Sequence, residues 1–109
     1  MKKSIINGMK TDASKVQSVY NHLNYGNYDR LIMKWHQFNH CNAYTSEPHY
    51  NAELDADIIL IKSYNTIVGI VNLDTKEVVE VGKYSVTTSK QFTQIHRQLF
   101  PSYDRYFIA

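Results

Sequence analysis

Hydrophobic residues recur along the chain with two different periods, and the period changes near its middle. In the first part, Val16, Val19, Tyr20 and Leu23 follow the i, i+3, i+4, i+7 spacing of one helix face. In the second part, β-branched runs of strand length follow one another, beginning at residues 58–61. The pattern predicts an α+β chain in which helices precede a sheet.

Two helices are expected before the change of period. Gly26 suits the end of the first helix, because glycine readily adopts the left-handed conformation found after a helix C-terminus. The second is expected to run from Tyr28 to about Cys41, with Trp35 and Phe38 on its apolar face. Only a few residues separate the two segments, so we expect an antiparallel helix pair.

A loop and a small sheet are expected next. Residues 42–54 are polar and contain Pro48, which is typical of a loop. The three apolar runs that follow predict a three-stranded antiparallel meander, with turns at 64–65 and 73–77. Gly69 lies inside the middle run, which indicates a β-bulge or the close approach of another element.

The C-terminal part predicts one more helix and a short strand. The helix begins near Thr88 and stops before Pro101, and residues 106–108 suit either a short final strand or a tail that lies on the core. We expect all the helices to cover one face of the sheet. The chain is then a single domain over 1–109, with a helical half at about 11–41, a loop at 42–54, and a sheet plus helix at about 55–109.

Composition narrows the range of functions. The chain has 109 residues and a formal charge of +2, from 12 basic and 10 acidic side chains. Such a small basic excess argues against a dedicated DNA-binding protein, whose affinity comes largely from neutralising phosphates. The one cysteine favours a reducing, cytosolic setting. Neither a signal-peptide pattern nor an apolar run of membrane-spanning length is seen, so we expect no membrane association.

Histidine and cysteine residues gather in one segment. On the predicted second helix, His36 and His40 are spaced i and i+4 and share a face, while Cys41 and His49 follow at the helix end and in the loop. Four such ligands are what a structural zinc ion requires, so the segment predicts one zinc site. The alternative is that these histidines belong to a solvated surface.

Catalysis by these residues is not expected. In a zinc peptidase motif of the HExxH type, a glutamate directly follows the first histidine and acts as general base. Here that position is Gln37, which cannot accept a proton from water. Cys41 has no recognisable oxyanion-hole motif beside it. The chain is therefore predicted to be non-enzymatic.

A second set of residues is a candidate partner-binding surface near the C-terminal helix. Lys83 and Lys90 flank the start of that helix, where backbone N–H groups attract anions. His96, Arg97 and Tyr103 combine charge with an aromatic ring, as nucleic-acid surfaces and protein hot spots both do. Simple helix capping and core packing are the alternatives.

Two adjacent segments resemble a family of small proteins from phages and mobile elements of Gram-positive bacteria. The segments are Ser-Tyr-Asn-Thr-Ile-Val-Gly-Ile at 63–70 and Gly-Lys-Tyr-Ser-Val-Thr-Thr-Ser-Lys-Gln-Phe at 82–92. They are similar to that family's Ser-Tyr-x-Thr-x-Val strand pair and Tyr-Ser-x-Thr-Thr-Ser-Lys helix start. The match covers about a third of the chain, and it carries no chemistry with it.

Within that phage setting, the size and charge of the chain look like those of a type II-A anti-CRISPR protein. The resemblance implies a non-enzymatic inhibitor that binds Cas9 in the host cytoplasm, as a monomer or homodimer, and blocks DNA binding or cleavage. Some such inhibitors carry a structural metal, in line with the predicted zinc site. The alternative is a small nucleic-acid-binding accessory protein of a phage or mobile element.

Overall fold

The computed structural model describes residues 8–25, 34–81 and 86–108. These residues form two helices and seven strands: α1 (Ala13–Tyr25), β1 (Trp35–Gln37), β2 (Ala43–Ser46), β3 (His49–Asn51), β4 (Ala56–Ser63), β5 (Thr66–Asn72), β6 (Glu77–Val81), α2 (Val86–Leu99) and β7 (Asp104–Ile108). Asp12 caps α1, since its Oδ1 accepts hydrogen bonds from the backbone N–H groups of Ser14 and Lys15.

The seven strands belong to one sheet. Their order is β1-β2-β4-β5-β6-β7, and β3 pairs with β4 beside β2. Neighbouring strands are antiparallel except β6 and β7, which run parallel and are connected through α2. The predicted three-stranded meander is therefore wrong as a description of the sheet, because β4, β5 and β6 form only its central part.

The two helices pack on opposite faces of this sheet. Val16, Val19 and Leu23 of α1 belong to one buried cluster, and Phe92 and Ile95 of α2 belong to another. Strands β5 and β6 are buried on both sides, which explains why the sequence of β5 is continuously apolar from Ile67 to Val71 instead of alternating. The expectation that all helices cover one face is wrong for this reason.

The predicted N-terminal helix pair is also wrong. Strand β1 and a turn occupy residues 35–42, where the second helix was expected, and residues 26–33 lie outside the described part of the chain. Asn39 and His40 have positive φ angles of 47° and 56°, a left-handed pair that a right-handed helix cannot contain. The side chain of Phe38 is buried although the residue lies in this turn. The spacing between Trp35 and Phe38 therefore reflects the end of a strand and not a helix face.

The expected loop at 42–54 contains two strands. Both β2 and β3 pair with β4, and the chain between them passes through Glu47 and Pro48. At this break the side-chain oxygen of Ser46 accepts the backbone N–H of Leu60 at 2.8 Å, which replaces a missing ladder bond. The polar composition of the segment misled the prediction, because these strands are only partly buried.

Several local predictions are confirmed. Helix α1, helix α2, the turn at 64–65 and the short final strand all occur. At Gly69 both expected features are present. The β4–β5 register shifts next to it, and a Cβ atom there would lie only 2.0 Å from Cζ of Phe92. Neither of the described helices is long and apolar enough to cross a bilayer.

Candidate functional site

The structure places His36 and His49 on different strands around Glu47. The Nε2 atom of His36, on β1, is in hydrogen-bond contact with the Glu47 carboxylate. The Nδ1–H of His49, on β3, donates to the backbone carbonyl of Glu47 at 3.1 Å. Both histidines therefore already have oxygen partners at this edge of the sheet.

The other two predicted zinc ligands lie in the β1–β2 turn. His40 is exposed there, and Cys41 is half-buried against the core cluster beneath α2. The Cys41 thiol donates to the backbone carbonyl of Phe38 at 2.8 Å. Across residues 8–25, 34–81 and 86–108, no three His, Cys, Asp or Glu side chains are grouped closely enough to hold a metal ion.

The predicted partner-binding residues fall into two groups, apart from Lys83, which lies outside the described residues. Lys90 and Arg97 are exposed on α2, two helical turns apart. The Nε2–H of His96 donates to the backbone carbonyl of Tyr103 at 2.6 Å, and the ring of Tyr103 packs against Phe100. His96 and Tyr103 thus connect α2 to the chain that leads into β7.

A groove of about 510 Å³ lies at the β1 side of the sheet, next to the β4–β5 turn. The strand register builds it, because Gln37, Tyr44 and Lys62 occupy one row across β1, β2 and β4. Trp35 lies two residues before Gln37 and therefore on the same face of β1. The lining is completed by polar and aromatic residues of two turns: Asn42, Tyr64 and Asn65.

Lys62 is held inside the groove by two aromatic rings. Its Nζ atom lies 4.2 Å from the centroid of the Trp35 ring and 5.0 Å from that of Tyr44. Both distances are within the range of cation–π attraction, which is strongest for tryptophan. The lysine is therefore a positioned cation, with its aliphatic stem along the sheet and its charge between two rings.

Tyr64 presents a third ring at the tip of the groove. It lies in the tight β4–β5 turn with a φ of 54°, and its side chain is 61% exposed. Its backbone N–H donates to the carbonyl of Asn42 at 2.7 Å, which ties the turn to the neighbouring β1–β2 turn. The ring is thus exposed to solvent on a backbone that a hydrogen bond anchors to the neighbouring turn.

The far end of the β4–β5 hairpin has the opposite electrostatic character. A cleft of about 340 Å³ there is lined by Asp12, Asp55 and Asp74, together with Lys10 and Lys15. The pKa of Asp12 is lowered, chiefly by a hydrogen bond from the Ser14 side chain. Anionic side chains therefore gather at this end, whereas Lys62 occupies the groove at the other.

Sequence reasoning missed the groove almost entirely. Tyr64 belongs to the predicted turn at 64–65, and Lys62 lies two residues before it. The row from Gln37 through Tyr44 to Lys62 depends on strand register. A helix at residues 35–41 and a loop at 42–54, as the sequence predicts, would contain no such row of side chains.

Comparison of the chain with protein-family models, with curated proteins and with solved structures found no match.

Proposed function

We propose that this protein is a non-enzymatic binding protein that inhibits Cas9 of a type II-A CRISPR system in the host cytoplasm, as the sequence resemblance implies. The observation that supports a binding function is the exposed groove with Trp35, Tyr44 and Tyr64 around Lys62. Tryptophan and tyrosine are enriched at the energetic centres of protein interfaces, because they bury a large area with few rotatable bonds.

The setting of these residues also suits recognition. Four of the lining residues lie on paired strands, and Tyr64 is anchored through its backbone to Asn42. A surface that is ordered before binding loses less conformational entropy when a partner arrives. The exposed Lys90 and Arg97 on α2 remain proposed secondary contacts, as does Lys83.

Cas9 binding is tested by co-purification and by a DNA-cleavage assay with increasing amounts of inhibitor. We expect inhibition to reach completion near one inhibitor per Cas9. Tyr64→Ala should weaken inhibition about tenfold or more, since it removes an interface ring. Tyr50→Ala is the matched control, because Tyr50 is 60% exposed but lies away from the groove, on β3. Full cleavage at large inhibitor excess would reject the proposal.

A nucleic-acid-binding accessory role is the second candidate, because a lysine among aromatic rings also suits a single strand. The steric arrangement favours it less, since the Lys62 ammonium already lies over the rings of Trp35 and Tyr44. A nucleic-acid role predicts binding to an oligonucleotide that weakens steeply with salt. Failure to bind at low salt rejects this second candidate.

The structural zinc ion is a separate proposal that rests on His36, His40, Cys41 and His49. It requires His36 to leave Glu47 and the Cys41 thiol to leave the carbonyl of Phe38. Metal analysis of protein purified without a histidine tag should then give about one zinc per chain, and His36→Ala combined with His40→Ala should lose the metal and lower the melting temperature. Metal-free native protein would contradict it.

A further inference from the structure

The hydrogen bonds between β1 and β2 show which backbone groups of β1 point into the sheet. The N–H of Phe38 donates to the carbonyl of Ala43, and the carbonyl of Lys34 accepts the N–H of Glu47. In an antiparallel pair, residues bonded to the partner strand alternate with residues whose backbone groups point away from it. Lys34, His36 and Phe38 therefore face β2 through their backbones.

The two residues between them face the other way. The N–H and C=O groups of Trp35 and Gln37 point out of the sheet, and they have no hydrogen-bond partner within residues 8–25, 34–81 and 86–108. The side-chain amide of Gln37 does not cover them, because it donates to the backbone carbonyl of Cys41 at 2.9 Å. His36 and Gln37 are exposed, so this edge is open to solvent.

Strand β1 lacks most of the features that prevent edge strands from pairing with other chains. Such features are proline, lysine or another charge within the strand, a β-bulge, and short length. The sequence of β1 is Trp-His-Gln, and its pairing with β2 is regular over all three residues. Only its short length protects the edge, so pairing along it is expected to be weak and reversible.

This edge is complementary to a second copy of itself. When two copies approach antiparallel about a two-fold axis at His36, Trp35 of each copy lies opposite Gln37 of the other. Each outward N–H then meets an outward C=O of the other strand, so the arrangement satisfies all the outward groups of both residues. The strand pairs with itself without a shift of register.

The side chains across the axis are compatible with this pairing. On the groove face, the ring of Trp35 is restrained by the Lys62 Nζ atom at 4.2 Å and lies next to Gln37 of the second copy. On the other face, His36 meets its own equivalent, and each imidazole is in contact with a Glu47 carboxylate. The grooves of the two copies then meet at the axis and add side-chain burial to the backbone bonds.

We infer that β1 is a homodimer interface, in which two copies pair antiparallel with His36 on the two-fold axis and their sheets become continuous. A second copy suits this edge better than an unrelated strand, because it supplies the same regular, uncharged edge in matching register. This inference is independent of the proposed function.

The oligomeric state of the full chain is measured by sedimentation equilibrium at concentrations up to about 1 mM, since small interfaces are weak. We expect a reversible monomer–dimer equilibrium. Gln37→Pro should weaken dimerisation about tenfold or more, because it removes an outward N–H and no bond to β2. Tyr50→Pro on β3 is the matched control. Its N–H also points outward, since Asp57 opposite it bonds to Leu73, but it lies away from the β1 edge.

Cross-linking tests the register and does not depend on the proline variants. In a Cys41→Ser background, His36→Cys places two thiols on the axis, in a non-bonded pair whose Cα atoms are about 4.5 Å apart and within disulfide range. Gln37→Cys is the matched control, because its equivalent in the other copy is two positions further along the strand and beyond the roughly 7 Å limit. Mild oxidation should link the first variant far more than the second on a non-reducing gel.

Three results overturn the inference: native protein that is monomeric at every concentration, a dimer that folded Gln37→Pro leaves unchanged, or stronger cross-linking through Gln37→Cys than through His36→Cys. If the native protein is monomeric and Gln37→Pro inhibits Cas9 less well, the edge pairs with a strand of the protein partner instead. A dimer that forms as described but leaves Cas9 active rejects only the inhibitor proposal.

Discussion

Glu77 is a charged residue with only 1% of its surface exposed, and its surroundings explain why it remains ionised. Its carboxylate accepts the backbone N–H groups of Lys10 and Thr11 at 2.7 and 2.8 Å and the Thr11 hydroxyl at 2.6 Å. Burial is the largest single influence and raises the pKa. The hydrogen bonds from Thr11, Lys10 and Thr75 together outweigh it, so the pKa lies below its ordinary value of 4.5.

This lowered pKa predicts an acid-dependent loss of stability. The ionised Glu77 carboxylate stabilises the folded state fully when the pH is above its ordinary pKa of 4.5. This stabilisation is lost as the pH falls through the lower pKa of Glu77 in the folded state. Glu77→Gln should cost about 1–3 kcal/mol at pH 7, because it replaces a charged acceptor of three hydrogen bonds. Urea unfolding should then show a smaller fall in the free energy of unfolding between pH 5 and pH 3 than in the native protein. Parallel pH curves for the two proteins would contradict this account.

Gly69 matters to the packing of the protein because it has no side chain. Phe92 of α2 packs directly on it, and an added Cβ would lie within 2.0 Å of the ring. Gly69→Ala should destabilise the protein by about 3 kcal/mol, since overpacking a rigid core forces the helix or the strand to move. The measurement is chemical denaturation.

A double variant tests whether the ring is the cause. Phe92→Leu removes the atoms nearest to the new methyl group, so it should be less costly in the Gly69→Ala protein than in the native one. Strictly additive losses would mean that the cost of Gly69→Ala does not arise from the approach of Phe92.

At the scale of elements, hydrophobic periodicity and turn residues correctly predicted individual helices and turns. The spacing from Val16 to Leu23 predicted α1, and the tyrosine–asparagine pair at 64–65 predicted the turn between β4 and β5, both of which are confirmed. The error arose at residues 35–41, where Trp35 and Phe38 fit a helix face by spacing alone. Asn39 and His40 tolerate the left-handed conformation better than most residues do, but the sequence does not show that they adopt it.

The candidate site was harder to predict than the elements for a related reason. The four His and Cys residues are near one another in sequence, yet His36 and His49 bond to Glu47 and Cys41 bonds to Phe38. The groove has the opposite property, since Trp35 and Lys62 are far apart in sequence and meet only through the pairing of β1, β2 and β4. Short-range spacing therefore pointed to residues that the fold gives other contacts, and it missed residues that strand pairing brings together.

At the scale of the whole molecule, the β6–α2–β7 unit places β7 at one edge of the sheet and α2 on one of its faces. Arg105 on β7 connects all three elements. It forms an ion pair with Glu80 on β6 at 3.0 Å, and it donates a hydrogen bond to the Thr93 hydroxyl on α2 at 2.9 Å. Glu80 is 1% exposed, so its charge depends on neighbours and not on water. Removing one member of such a buried pair is costly, because the other charge stays in a medium of low dielectric constant.

The ion pair between Arg105 and Glu80 is expected to contribute to the free energy of unfolding. Arg105→Met should lower the free energy of unfolding by about 3–5 kcal/mol, and adding Glu80→Gln should recover part of that loss because the buried side chain then carries no charge. Arg97→Met is the matched control, since Arg97 is exposed on α2 and should change stability by less than about 0.5 kcal/mol. Urea unfolding of the native protein, Arg105→Met, Glu80→Gln and the double variant measures the coupling. If Glu80→Gln adds its own full cost to that of Arg105→Met, the two side chains act independently and their ion pair does not hold the layers together.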